Sequence, residues 1–243
     1  MPSRKPARNP VAVEKEKLRK EKRRALKEQR AKILESKTVV DAANAMCSSS
    51  LMEGLSAFKT YKAQGREFSA EVHRRTEMDS ASISWAFDLT KLNMEAIYKK
   101  SESGWTDSSK RDELDDERAW FLIVEEEGRP VAFSHFRFDL DGEGEVCCEV
   151  LYCYELQVAP CAQGIGLGKH MMRTLEIIGF KKADMCKVVL TCFKHNVRAM
   201  RFYKEALGYK EDITSPVPGY DGDDFDYEIL SKPNKRKVSE DAD

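Results

Sequence analysis

At 243 residues with 41% hydrophobic content, the chain is long enough for one domain with a sizeable core and appendages. No apolar run approaches the roughly 20 residues of a membrane span, the N-terminus has no signal-peptide core, and seven scattered cysteines form neither a C-x-x-C pair nor a disulfide framework; a soluble, non-secreted protein with free thiols, no metal and no membrane partner is expected. The formal net charge of −1 hides an asymmetry: residues 1–32 hold thirteen Lys/Arg against four Glu (+9), leaving 28 basic and 38 acidic residues elsewhere (−10), so an acidic body carries a basic arm.

In chain order, Met1–Val13, with three prolines, is expected to be a disordered lead. Glu14 to about Ser36 is dense in helix formers, with a narrow stripe of Leu18, Ala25, Leu26, Ile33 and Leu34. A helix with so little apolar surface is either solvated or binds a partner, nucleic acid or the ribosome. Thr38–Cys47 continues helical until Ser48-Ser49-Ser50 breaks it. Glu53–Glu67, with Leu55, Phe58 and Tyr61, has amphipathic helical spacing, and Glu67–Thr76 alternates as a first strand. Ser80–Lys100 is the strongest helix of this half, and Ser101–Asp116 reads as a loop. Ala119–Val124 and Val131–Leu140 form a hairpin about Glu126–Pro130. Asp141–Glu145 is an acidic loop leading to a strand over Glu149–Val158. Helix over Leu167–Ala183, strand over Lys187–Phe193, helix over Asn196–Leu207 ending at Gly208, and strand over Asp226–Leu230 complete the domain, so 37–231 is the folded body, 1–36 the basic lead and arm, and 232–243 a polar tail.

The organising stretch is Tyr152–Lys169, a strand closed by Pro160, then Gly164, Gly166 and Gly168, then a helix start. Glycines admit an anion close to the main chain, and the free N–H groups of a first helical turn point at it. A dinucleotide turn would want G-x-G-x-x-G, and a P-loop would want Gly-Lys-Ser/Thr where His170 follows Lys169. What remains, Q-x-x-G-x-G from Gln163 to Gly168, resembles the pyrophosphate loop of the GNAT acetyltransferases, and the order of strands and helices matches theirs. The resemblance implies an α/β GNAT fold, a mixed central sheet flanked by helices, here with an added basic N-terminal helix.

Arg118–Ile123, Phe133–Asp139, Tyr152–Glu155, Leu190–Asn196 and Trp85–Thr90 narrow the resemblance, over residues 40–231, to the NatD type of N-alpha-acetyltransferase. That family acetylates the N-terminal serine of histones four and two-A, which begin Ser-Gly-Arg-Gly. Two departures stand out: the loop between Asp139 and Tyr152 is longer, and Gln163-Gly164 replaces a more usual basic pair, which removes cationic contacts to phosphate and leaves the main-chain cradle. The resemblance implies acetyl-CoA as cosubstrate, with contacts at Gln157, Val158, Gln163, Gly164, Ile165, Gly166, Leu167, Gly168, Lys169, Thr191 and Asn196, and Tyr203 near the leaving thiol. Asn196 also suits a helix N-cap. It further implies histone N-terminal peptides as partners, a slot walled by Tyr98, Trp105, Tyr152, Tyr154 and Tyr227, Asp139 and Asp141 pairing the substrate arginine, and a location in cytoplasm and nucleus.

Glu155, alone among apolar and aromatic neighbours, is the candidate base, acting through water, with Tyr154 beside it. A strand period of two puts Tyr152 and Tyr154 on one face and Glu155 on the other, so a sheet distortion or a water is needed for all three to serve one reaction. The open alternatives are a lysine or small-amine acetyltransferase, and a chromatin or RNA-binding module with an inactive body. The basic arm and the localisation-like Lys232–Lys237 cluster suit the second.

Overall fold

In the computed structural model, which describes residues 10–143, 146–217, 219 and 225–238, one helix, α1 (Pro10–Asn44), takes in both predicted N-terminal helices and the last residues of the expected lead. Met1–Asn9 lie outside the described residues. Only the end of α1 packs: Val40 and Ala43 are buried, and Asn44 Nδ2 donates to the Phe138 carbonyl at 3.0 Å. Leu18, Leu26 and Leu34 of the predicted stripe stay exposed.

The serine run opens a short α2 (Ser48–Leu51). The helix expected over Glu53–Glu67 is mostly absent, and this is a correction: α3 (Ser56–Lys59) gives way to β1 (Thr60–Ala63), which pairs antiparallel with β2 (Arg66–Arg74). Gln64 and Gly65 both have positive φ, 52° and 74°, the conformation of a two-residue hairpin turn; that turn overrides the three-residue spacing of Leu55, Phe58 and Tyr61.

Helix α4 (Ser80–Tyr98) is capped by Asp79, whose Oδ1 accepts from the Ser82 N–H at 2.7 Å. A second correction follows: the segment expected as a loop contains α5 (Asp107–Leu114). Its one apolar residue, Leu114, leaves no stripe for periodicity to detect. The hairpin of β3 (Trp120–Glu126) and β4 (Arg129–Asp141) turns at Glu127 and Gly128. Then come β5 (Cys148–Val158), α6 (Leu167–Ile177) with a wider π-type turn to Lys182, β6 (Lys187–Phe193), α7 (Val197–Arg201) with a π-type turn to Ala206, a two-residue β7 (Lys210–Glu211) and β8 (Tyr227–Pro233).

The strands form a single mixed sheet in the order β1-β2-β3-β4-β5-β6-β8-β7. All neighbours are antiparallel except β5 and β6, which α6 joins as the crossover. One face buries Phe68, Trp120, Leu122, Phe136, Leu151 and Met171 against α6 and the end of α1; the other buries Phe121 and Phe133 against Ile83 and Phe87 of α4. No helix among the described residues is long and apolar enough to cross a membrane.

The expected tail is also corrected. Pro233 still pairs with β6, Asn234 is 2% exposed and donates to the Met185 carbonyl at 3.0 Å, and Lys237 of α8 (Lys235–Val238) binds Glu149 at 2.5 Å. Main-chain carbonyls at the β6 entrance need donors, and Asn234 supplies its side-chain amide to Met185 and its main-chain N–H to Cys186, so the body runs on past residue 231. Within the basic cluster, Lys232 is committed to Glu176 and the Leu207 carbonyl.

Candidate active site

The site is built on β5. Opposite it on β4, His135 pairs with Glu155 and Phe136 with Cys153, so Tyr154 is the extra residue of a β-bulge. The bulge resolves the problem of faces: Tyr152, Tyr154, Glu155 and Gln157 all line or flank the α4–α5 side, while Cys153, Leu156 and Val158 face the core. Pairing of β5 with β6 stops at Cys153 and Leu190, whereas β6 continues on β8 to Phe193. The two parallel strands therefore part, and the main-chain groups of β5 on the vacated side lose their ladder.

Two cavities meet in the gap. The larger, about 710 Å³, is lined by Gln157, Val158, Gln163, Gly164, Gly166, Leu167, Gly168, Lys169, Asn196 and Tyr203, ten of the residues expected at the cofactor. Gly164 and Gly166 sit at φ +78° and +89°, and Gly166, the N-cap of α6, offers no side-chain cap, leaving the first-turn N–H groups without helical acceptors. Among the described residues, the only charged ones lining this cavity are Lys169 and Arg198. Bare amides, two cations and no carboxylate fit a diphosphate. Ile165 packs into the core instead of lining the cavity, and offers only its main chain.

The reason for glycine at 166 differs from that expected. A Cβ there would come within 2.5 Å of the Tyr61 hydroxyl, which donates to the Ile165 carbonyl at 2.6 Å. Tyr61, from the misread strand β1, braces the turn from behind. Gln163 fixes its front: its Nε2 donates to the Val158 carbonyl at 2.9 Å, and its Oε1 accepts from Arg198 at 2.9 Å. Asn196 Oδ1 caps α7 by accepting from the Ala199 N–H.

The smaller cavity, about 230 Å³, includes Tyr98, Glu113, Tyr152, Tyr154, Glu155 and Thr191 in its walls, and shares Leu156, Gln157, Asn196 and Tyr203 with the first. Thr191 thus faces this slot, bonded to the Tyr152 hydroxyl at 2.6 Å, and not the cofactor cavity. Burial pushes the hydroxyls of Tyr98 and Tyr152 up to about 12 and that of Tyr203 well above its ordinary value. All three phenols stay protonated at neutral pH.

Beneath the slot lies an ionic cluster. Glu155, 4% exposed, accepts from Lys110 Nζ at 2.7 Å and from Gln157 Nε2 at 2.6 Å. Lys110, 6% exposed, also binds both oxygens of Glu113, at 2.9 and 3.0 Å, and the Tyr98 hydroxyl at 3.2 Å. Burial works against the Lys110 charge, and the Glu155 and Glu113 carboxylates reverse it and hold its pKa raised. Burial raises the Glu113 pKa, with Lys110 opposing. His135, stacked between Phe121 and Tyr154, is held neutral by burial and then by Arg137 and Lys110, its pKa down at about 3. Lys110, Glu113, His135 and Arg137 escaped the sequence reading. The i,i+3 spacing of Lys110 and Glu113 was the available signal, in a segment with no helical stripe to place it on.

Other predicted residues stand apart. Trp105 lies behind Tyr98, edge to face at 5.5 Å, with its indole N–H on Asp107. Tyr227 pairs with Phe193 at the end of β8 and is not among the lining residues of either cavity. Asp141 is engaged by Lys187 at 3.0 Å, an ion pair that Lys187 shares with Asp212, so it is placed as a structural carboxylate. Asp139 accepts from the Leu140 N–H and forms no salt bridge among the described residues.

A sheet opened at its one parallel pair, with a main-chain anion cradle on one side and an aromatic slot on the other, defines a transferase that draws its group from a coenzyme A thioester. Residues 87–209 match the family model described as the acetyltransferase (GNAT) family, and the chain belongs to that family, whose cosubstrate is acetyl-CoA. Among curated relatives, N-alpha-acetyltransferase 40 of Saccharomyces cerevisiae is 34% identical over 104 residues, 40% of this chain and 33% of that protein; the chain spans about a third of that relative's length. An uncharacterised N-acetyltransferase of Methanocaldococcus jannaschii, MJ1530, is 31% identical over 48% of this chain and 69% of its own. The crystal structure of Arabidopsis thaliana NAA60 with a bisubstrate analogue shares the fold, with a TM-score of 0.50 at 12% identity over 68% of this chain and 98% of that one.

Proposed function

We propose that the protein is a NatD-type N-terminal acetyltransferase, transferring acetyl from acetyl-CoA to the α-amine of the serine that begins core histones of the Ser-Gly-Arg-Gly type, by direct attack in a ternary complex. The observation that carries this reading is the junction of the two cavities: the slot shares Leu156, Gln157, Asn196 and Tyr203 with the larger cavity and carries in its walls Glu113 and Glu155, both bound to Lys110. A chain terminus suits a slot of that shape, while an extended lysine donor needs an open groove. Similarity to the yeast N-alpha-acetyltransferase named above supports an α-amine as the acceptor.

An α-amine, with a pKa near 7.7–8.0, is largely protonated at neutral pH, so one proton must leave before attack. Glu155 takes that proton through water: each of its oxygens keeps a second lone pair beyond the bonds to Lys110 and Gln157. Tyr154 and Tyr152 flank the amine, and Tyr98 closes the slot. Main-chain N–H groups of β5 on the side that β6 leaves polarise the thioester carbonyl. Asp139 reads the substrate arginine by a charge-assisted pair. The exposed basic face of α1 engages ribosomal or other nucleic acid, and the enzyme works in cytoplasm and nucleus.

With acetyl-CoA, a Ser-Gly-Arg-Gly peptide is expected to be acetylated, the same peptide with a blocked amine to be inert, and one with alanine for arginine to be turned over far more slowly. Rapid acetylation of a longer amine-blocked peptide that carries an internal lysine would instead establish the lysine reading. Glu155→Gln is expected to lower kcat about 100-fold, the scale of one general base, with coenzyme A affinity measured by calorimetry unchanged; an undiminished kcat removes Glu155 from the proton path.

A further inference from the structure

The glycine loop of this chain lacks a basic pair at its start, where Gln163-Gly164 stands, and the cofactor cavity nonetheless carries a guanidinium at that place. Arg198 reaches it from the opposite wall. It lies in the first turn of α7, is exposed, and donates Nη1–H to Gln163 Oε1 at 2.9 Å. Gln163 is in turn fixed to the Val158 carbonyl. A guanidinium has five N–H donors, and Gln163 takes one in this structure. Arg198 forms no salt bridge with any carboxylate among the described residues. An arginine without a carboxylate partner, beside bare helix-start amides in a cavity that no acidic side chain lines among the described residues, is poised for a doubly charged oxyanion.

We propose that Arg198 grips the diphosphate of coenzyme A, supplying from α7 the positive charge that the loop omits, with Gln163 as the side chain that orients it. The assignment rests on the acetyltransferase reading of the cavity and adds the residue that binds the charge. A planar fork suits two phosphate oxygens better than an ammonium does, so lysine is an incomplete substitute.

The test is isothermal calorimetry with coenzyme A and with 3′-dephospho-coenzyme A, which keeps the diphosphate, on the full chain and on Arg198→Gln and Arg198→Lys. Arg198→Gln is expected to bind both ligands about tenfold more weakly, the scale of one charge-assisted hydrogen bond, with Arg198→Lys in between and circular dichroism unchanged for this exposed position. Equal affinity of Arg198→Gln and the parent chain overturns the assignment. A loss seen with coenzyme A and absent with the dephospho form also overturns it, by moving Arg198 to the 3′-phosphate. If the parent chain binds neither ligand, the reading of the cavity itself falls; binding by the parent that is indifferent to Arg198 removes only this inference.

Discussion

Lys110→Met is expected to destabilise the protein by about 3–5 kcal/mol, the range for removing one partner of a buried ion pair, and to reduce acetyl transfer to near background. The substitution leaves two carboxylates, Glu155 and Glu113, facing each other where one ammonium had bridged them at 2.7 and 2.9 Å. One must then take up a proton or draw apart, and either change moves the Glu155 oxygens in the wall of the slot. The pH dependence gives the sign. Burial already raises the Glu113 pKa and Lys110 opposes that rise, so without Lys110 it lies further above the unfolded value near 4.3, and its contribution to the variant's stability is greatest below that value and falls as pH climbs through the raised pKa. The deficit against the parent chain should therefore be larger in urea titrations at pH 7 than at pH 5. A deficit that does not change with pH would mean that lost packing of the lysine stem, and not the uncompensated charge, is responsible.

Gly166→Val is expected to cost at least tenfold in coenzyme A affinity, and the cause lies behind the loop. A non-glycine residue at φ +89° is strained by about 1–3 kcal/mol. Its Cβ also falls 2.5 Å from the Tyr61 hydroxyl, so Tyr61 must release the Ile165 carbonyl and the cradle loses its brace. Gly164 is the control: it has a similar φ of +78° with nothing within 4 Å of a built Cβ. Thermal melts without ligand should place Gly166→Val clearly below Gly164→Val. Equal melting temperatures would mean that the Tyr61 contact is dispensable and only backbone strain matters.

Strands β3 to β6 and helices α4 and α6 were legible because their patterns are strong: continuous apolar runs between turn residues, or apolar spacing of three and four. The glycine loop was legible because its chemistry is local, a main-chain cradle written in three glycines. The helix α5 was not, since an element with one apolar residue leaves no stripe, and with it went Lys110 and Glu113, which meet Glu155 only through tertiary packing. Strand β1 was hidden because Leu55, Phe58 and Tyr61 fit a helix until Gln64-Gly65 closes a hairpin. Only the family resemblance points Asp141 to the substrate; nothing in its own segment announces Lys187 across the sheet. The bulge could be demanded from the sequence, since Tyr152 and Glu155 were needed on one side, yet its position emerged only from strand register.

That register has a consequence for how such a centre can arise or be lost. Because Tyr154 is a supernumerary residue, no exchange of one amino acid for another between Tyr152 and Gln157 reproduces what its presence does. Deleting the Tyr154 codon would restore a regular ladder in which Cys153 still meets Phe136 and Glu155 still meets His135, so the carboxylate would keep its side of the sheet and the neighbouring phenol ring would be lost. The proposed site is thus encoded in chain length as well as in composition: the supernumerary residue is what lets Tyr154 and Glu155, neighbours in sequence, share one side of the sheet.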